Sequence, residues 1–542
     1  MSRFLGSKFW SFRLWFPASP IILYTTTSRS SLDEIKNDYT LDAVTRIQAK
    51  SNRHDEILKA AEDFISFANS GPSVYHVVDT IKKQLKPHGF VELDEKEDWE
   101  GVIRPGGKYY VRRTGSSGSS IIAFAVGKSW KPGNPFSIIA SHVDSPCLKI
   151  KPVSDRQSSG FRQIGVETYG GGLWHTWFDR DLGAAGRVFI RTSPTTIESR
   201  LIQLHEPILR IPCIASHYEQ QNPFKFDVES HLVPVISQQS QEPNAEERKT
   251  SAIYEQEIVW SENQYVITSA SNRHPELIVD KIAEKLNVHP ENVIDFDLSL
   301  YDLQKATIGG LNNEFIFSAR IDNLMMTFCG LRGFVKSLDD PHALDEESAI
   351  RTFVAFDHEE IGSTGPMSAQ STFLPSIMQR LAGTKCSQSI ARSILISADV
   401  IHAAHPNYHN YHEINHKPHL NQGIVFSSSS RRYLAKSTPS VITLLETICK
   451  LPPREDSVRG EIESEPPRTQ FFVAPNGRDC GSTVGPHLEA NLGIRVVEMG
   501  NSTLSMHSIR EMAGSTDVDN AIRFFRLFYQ NYSYFEEWVT AR

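Results

Sequence analysis

Five apolar, β-prone runs in this chain stop at a residue able to bind a metal or move a proton. Ser137-Ile138-Ile139-Ala140-Ser141 ends at His142, with Asp144 two residues on; Phe315-Ile316-Phe317-Ser318-Ala319-Arg320-Ile321 ends at Asp322. Thr352-Phe353-Val354-Ala355-Phe356 ends at Asp357-His358-Glu359-Glu360, and Ile394-Leu395-Ile396-Ser397-Ala398 ends at Asp399. Ile494-Arg495-Val496-Val497-Glu498-Met499 runs on to Ser505-Met506-His507. Two imidazoles among several carboxylates combine borderline nitrogen with hard oxygen, which suits Zn²⁺, or Mn²⁺ or Co²⁺, better than Ca²⁺. A carboxylate shared by two cations about 3.5–4 Å apart lets the pair activate a water between them, which is hydrolytic chemistry. Singly, each feature has a plain explanation: a strand-end Asp usually caps a helix or turn, a Glu-Glu pair is usually solvated, and a lone His is usually satisfied in a core. Their joint occurrence after five β-runs carries the metal reading.

Such residues must be brought together by the fold. In an open, mostly parallel α/β sheet, ligands collect beyond the carboxyl ends of the strands, so endings remote in sequence converge. An amphipathic helix is predicted to begin near Asp55-Glu56-Ile57-Leu58 and a second to cover Tyr75 to Leu85, after the Gly71-Pro72 break. From Ser120 to Ala140 the texture is β, interrupted by the turn Pro132-Gly133-Asn134-Pro135. Gly170-Gly171-Gly172 and the strand-like Leu232-Val233-Pro234-Val235-Ile236 follow, and residues 237–252 and 452–468 read as polar loops. The expected organisation is an N-terminal extension (1–45), then a catalytic α/β domain in two parts (46–150 and 312–542) interrupted by a β-rich insert (151–311).

Composition narrows the function. The 542 residues hold 56 Lys+Arg against 64 Asp+Glu, a net charge of −8, which disfavours a phosphate-backbone partner and so nucleic acid. No stretch approaches the roughly 20 apolar residues of a bilayer span. The six cysteines are scattered without a Cys-x-x-Cys pair, arguing against a disulfide framework and for a reducing compartment. The first acid is Asp33, after Arg3, Lys8, Arg13 and Arg29 in a Ser/Thr-rich segment, a composition similar to an organelle transit peptide or to a plain unstructured extension. A cytoplasmic location is expected, with mitochondrial or vacuolar alternatives. His402, His405, His409, His412, His416 and His419 recur every three or four residues, as for one helix face, but Pro406 and Pro418 argue against a helix there. His402 and His405 read instead as lining the pocket behind Asp399.

Four longer segments carry a resemblance. Ser141-His142-Val143-Asp144-Ser145-Pro146, Tyr169-Gly170-Gly171-Gly172-Leu173-Trp174 with Trp177-Phe178-Asp179-Arg180-Asp181-Leu182, Phe356-Asp357-His358-Glu359-Glu360-Ile361-Gly362-Ser363 and Ser505-Met506-His507-Ser508-Ile509-Arg510-Glu511 resemble the motifs of the M18 metalloaminopeptidases. They stand in the family's order and the likeness covers roughly residues 50–535, nearest to the branch that removes N-terminal Asp or Glu. The resemblance implies a zinc-peptidase (phosphorylase/hydrolase-like) α/β fold, a mixed sheet flanked by helices, with an inserted β-rich dimerisation or lid domain. It implies two Zn²⁺ per subunit, with Mn²⁺ or Co²⁺ at an exchangeable site, and a homo-oligomer, typically a tetrahedral dodecamer. By the resemblance His142 and Asp399 hold one zinc, Glu360 and His507 the other, and Asp322 bridges. Glu359 is then the general base that takes the proton of the attacking water and passes it to the leaving amine, while Asp144 orients His142. His402 and Tyr433 match substrate-pocket positions, and His217 matches a histidine that reaches a neighbouring subunit's site.

The chain departs from the acidic branch at one position. That branch carries a pocket lysine which pairs with the substrate's carboxylate, and Ser427 stands in its place here. Arg431 or Arg432 supplies the charge only if the loop shifts by a few residues; otherwise both face solvent. Peptides are the expected substrates, with broader or neutral specificity as the alternative to acidic preference. A two-zinc carboxypeptidase or deacylase is a second reading, and an oligomeric scaffold or transport cargo the non-enzymatic one.

Overall fold

A computed structural model describes residues 53–113, 118–218, 224–238, 269–428, 435, 438–451, 465–478 and 480–536. The N-terminal extension, most of both polar loops, Arg431, Arg432 and Tyr433 lie outside the described residues.

The protein is built on a nine-stranded mixed sheet, ordered Val91–Leu93, Lys108–Arg112, Ile121–Val126, Ile350–Phe356, Phe136–His142, Ile394–Ala398, Arg495–Gly500, Ile424–Ser427 and Thr469–Phe472. The strands Ile350–Phe356, Phe136–His142, Ile394–Ala398 and Arg495–Gly500 run parallel at its centre, so their carboxyl ends share one edge. Every residue of the first three is buried, because helices cover both faces. That two-sided burial is why they read in sequence as unbroken apolar runs rather than as alternation. Val74–Leu85, Ile321–Lys336, Pro439–Lys450 and Ser515–Phe535 pack one face, and Phe373–Ala382 and Val484–Leu492 the other.

Ile321–Lys336, the helix that begins at the Asp322 turn, crosses Ser515–Phe535 at Gly333. A Cβ there would lie 2.6 Å from Phe525 Cβ and 3.1 Å from the Arg526 nitrogen and the Ile522 oxygen. Alanine would gain up to about 1 kcal/mol of helix propensity, but main-chain atoms cannot yield as a side-chain tip does. Gly333→Ala is therefore expected to destabilise by about 1–3 kcal/mol, seen as a lower thermal midpoint; an unchanged midpoint would show that the two helices can move apart freely.

A second, wholly antiparallel sheet of six strands runs Thr196–Leu209, Leu182–Ser193, Val293–Asp302, Cys147–Ser158, Phe161–Tyr169 and Val235–Gln238. It closes its own core, with Glu276–Leu286 packed against it. The strand read at 232–236 starts only at Val235, after Pro234, which has no N–H to give a ladder.

A third sheet of five short strands orders Thr307–Gly309, Phe315–Ser318, Glu511–Gly514, Ser502–Leu504 and Ile401–His402. It corrects the expectation that all five chemistry-bearing runs end on one sheet. The run before Asp322 belongs to this small sheet, and His507 lies in the loop between two of its strands. The chain leaves the large sheet at Gly500, where a Cβ would fall 1.8 Å from the Asp399 carbonyl oxygen, so only glycine lets the small sheet approach so closely.

The histidine-rich segment starts at the end of the strand Ile401–His402 and contains beyond it just a 3-10 turn at His409–Tyr411 among irregular chain, so its imidazoles share no helix face. All six cysteines are free. Among the described residues no helix is long and apolar enough to cross a membrane.

Candidate active site

His142 is the last residue of its strand and pairs in register with Phe356, so Asp357, Glu359 and Glu360 leave the sheet beside it. Asp399 follows the next strand directly, and the small sheet brings in Asp322 and His507 from the opposite side. The His142 Nε2 atom lies 3.4 Å from Asp322 Oδ1, 3.4 Å from Asp399 Oδ2 and 3.8 Å from Glu359 Oε2. His507 Nε2 lies 3.1 Å from Asp322 Oδ2 and 3.4 Å from Glu360 Oε2. Donor atoms thus gather in two lobes, His142–Asp322–Asp399 and Asp322–Glu360–His507, which share Asp322 and give it one oxygen in each. Glu359 joins His142 and Glu360 in a third grouping at the seam.

Both imidazoles are held in the tautomer a metal requires. His142 Nδ1 faces the Asp144 carbonyl at 3.1 Å and its carboxylate at 3.3 Å, and His507 Nδ1 faces the Gly171 carbonyl at 3.0 Å. With Nδ1 facing a carbonyl, Nε2 is the nitrogen that faces the carboxylate oxygens and is left to bind a cation in their place among them. His142 Nε2, Asp322 Oδ1 and Glu360 Oε1 are buried and have no hydrogen-bond partner. Buried polar atoms without partners are costly; two of these lie in the His142 lobe and one belongs to the Glu360 lobe, and each set fits a divalent cation.

The charge pattern agrees. Burial pushes Glu359 and Glu360 well above the usual carboxylate range; Asp322 and Asp144 push both in the same direction, Asp399 adds to this at Glu359, and His142 opposes. Burial opposes charge on His142, yet Asp399 and Glu359 overcome it and hold the imidazole well above its ordinary value. So many acids cannot ionise together at these separations without added positive charge.

Residues 67–529 match the family described as "Aminopeptidase I zinc metalloprotease (M18)". The aspartyl aminopeptidase of Aspergillus oryzae is 43% identical over 491 residues, covering 87% of this chain and 96% of its own. Aspartyl aminopeptidase 4 of Saccharomyces cerevisiae is 42% identical over 499 residues, 89% of this chain and 96% of its own. Among solved structures, the chain matched in the Ape4 and Nbr1 complex superposes with a TM-score of 0.79 at 39% identity, over 90% of this chain and 88% of that one. The S. cerevisiae mApe1 dodecamer gives 0.72 at 28% identity, over 89% and 99%. The chain belongs to the M18 family of zinc metalloaminopeptidases.

In this M18 enzyme the supports around the donors were not legible as such in the sequence. Glu511, buried and pushed up by that burial, accepts from the Asp322 main-chain N–H (3.0 Å) and the His507 N–H (3.1 Å), tying together two segments 189 residues apart. Thr327 donates to the His142 carbonyl oxygen (2.6 Å), and Asn323 to the Ala398 carbonyl oxygen (2.9 Å). The Leu173 N–H donates to the His507 carbonyl oxygen (2.9 Å) and the Ile509 N–H to Thr176 Oγ1 (3.0 Å), so segment 171–176 is stitched along the His507 loop. Only Glu511 left a signal, as an acid four residues after His507.

The pocket residues fare unevenly. His402 ends its strand close enough for the charges of Asp322 and His507 to act on its ring, and packs edge-on against Phe472. Ser427 is buried at the end of its strand, in register with Glu498. His217 is exposed in a turn and belongs to neither lobe. Tyr433 lies outside the described residues.

Proposed function

We propose that the protein hydrolyses the N-terminal residue of peptides, with Asp or Glu preferred, using two zinc ions per subunit. His142 and Asp399 would hold one, Glu360 and His507 the other, and Asp322 both; Mn²⁺ or Co²⁺ suits the more exchangeable position. The observation that best supports this reading is Asp322, whose two oxygens face different imidazoles at 3.4 and 3.1 Å. Bound zinc supplies a Lewis acid that brings a water's pKa to roughly 7. Glu359, beside both lobes but with the more open carboxylate of the Glu pair, would take the proton of the attacking water and return it to the leaving amine. His402 would flank the side chain being removed, the role the family resemblance also gives to Tyr433. His217, exposed on the six-stranded layer, addresses a neighbouring subunit in a homo-oligomer built as the mApe1 dodecamer is. Residues 151–311 form the insert that carries it, and free cysteines support a cytoplasmic location.

The acidic preference is supported by the aspartyl aminopeptidases that match over most of the chain. One observation favours the neutral alternative: Ser427 brings no positive charge and sits in register with the acid Glu498. Aspartyl, glutamyl and leucyl substrates compared at saturating zinc decide. A kcat/KM for the aspartyl substrate at least about tenfold above the leucyl one, some 1.4 kcal/mol, is expected; equal or better leucyl turnover would remove the acidic assignment.

A further inference from the structure

Four charged or hydroxyl-bearing side chains run from the six-stranded layer to the back of the metal site. Asp144 Oδ2 accepts from the Glu360 N–H at 3.0 Å and from the Tyr169 hydroxyl at 2.8 Å, while Oδ1 lies 3.3 Å from His142 Nδ1. The Lys149 ammonium lies over the Tyr169 ring, 5.3 Å from its centroid, and pairs with Asp297 at 2.9 Å. Asp297 in turn accepts from Tyr75 Oη at 2.5 Å. Asp144, Lys149, Tyr169 and Asp297 all face one cavity of about 210 Å³ that extends to Asp322 and His507.

We propose that Tyr169 and Lys149 are positioning residues for the metal centre, acting through Asp144. This rests on the reading of His142 and Glu360 as zinc ligands. Asp144 is the one acid that touches both of them from behind, orienting an imidazole on one lobe and the main chain of a glutamate on the other. The Tyr169 hydroxyl is a second donor to the same Asp144 oxygen that accepts from the Glu360 N–H, and so helps to fix the carboxylate's direction. Burial, with Asp144 beside it, pushes the Tyr169 phenol far up, so the group stays a proton donor at any working pH. Lys149 fixes the ring in turn, since an ammonium on an aromatic face is attracted to it. Asp297 overcomes the burial penalty and keeps that ammonium charged. Outer partners of this kind change metal affinity by about 10–100-fold.

The test is zinc binding to the metal-stripped full-length protein, by competition with a chromophoric chelator, for wild type, His142→Ala, Tyr169→Phe, Lys149→Met, Lys149→Arg and the Tyr169→Phe/Lys149→Met pair. Tyr169→Phe should weaken zinc binding about tenfold or more while the stripped protein unfolds at the wild-type temperature. Lys149→Met should weaken it as well, Lys149→Arg should restore it, and the pair should be no worse than the stronger single change. Wild-type affinity in Tyr169→Phe, a loss matched by a lower unfolding temperature, or additive losses in the pair would overturn the proposal. If His142→Ala binds zinc as wild type does, the site assignment itself fails instead, so the two failures are distinguishable.

Discussion

Glu359→Gln should leave the zinc content of the protein unchanged and lower kcat by about 10²–10⁴-fold, the usual contribution of a general base. Glutamine keeps the shape and one acceptor oxygen but cannot take a proton. The adjacent glutamates are told apart by access: the Glu359 side chain is 12% exposed and that of Glu360 3%. Glu360 also has an orphaned oxygen and lies 3.4 Å from His507 Nε2, as a ligand would, whereas Glu359 stands 3.8 Å from His142 Nε2, where a reacting group can lie between. Metal analysis with a single-turnover assay checks this. Wild-type turnover in the zinc-replete variant would remove Glu359 from the role.

Asp322→Ala should be the most damaging single change. It takes one oxygen from each lobe, whereas Asp399→Ala takes one from a single lobe. Zinc measured after dialysis should fall below one ion per subunit in Asp322→Ala and to about one in Asp399→Ala, with hydrolysis lost in the former. Two retained zinc ions in Asp322→Ala would refute the shared-carboxylate arrangement.

Three donors were legible because each stands at or shortly beyond the end of a strand buried on both faces, and such strands announce themselves as short apolar runs bounded by a polar residue. His142, Glu360 and Asp399 follow that rule. Asp322 and His507 came from the same pattern yet belong to a different sheet, since a run of four or five apolar residues does not say which neighbours it pairs with. Glu511, Tyr169 and Lys149 were not legible as supports. Glu511 and Tyr169 stand inside the quoted motifs, but their roles depend on a main-chain N–H, a carboxylate or a ring supplied from elsewhere in the chain, and the residue type alone carries no mark of that partnership. The carbonyl that orients His507 comes from the main chain of Gly171, inside the quoted Tyr169–Trp174 motif.

The stitching of segment 171–176 along the His507 loop bears on how substrate arrives. Three bonds, from His507 Nδ1 to Gly171, from Leu173 to the His507 carbonyl and from Ile509 to Thr176, join the six-stranded layer to one of the proposed ligands. Swinging that layer away to admit a peptide would turn the imidazole off its axis at the moment it is needed. A hinge of that layer away from the site would either break these three bonds or carry the His507 loop along with it, so the wall of the site and one of its proposed ligands are coupled mechanically.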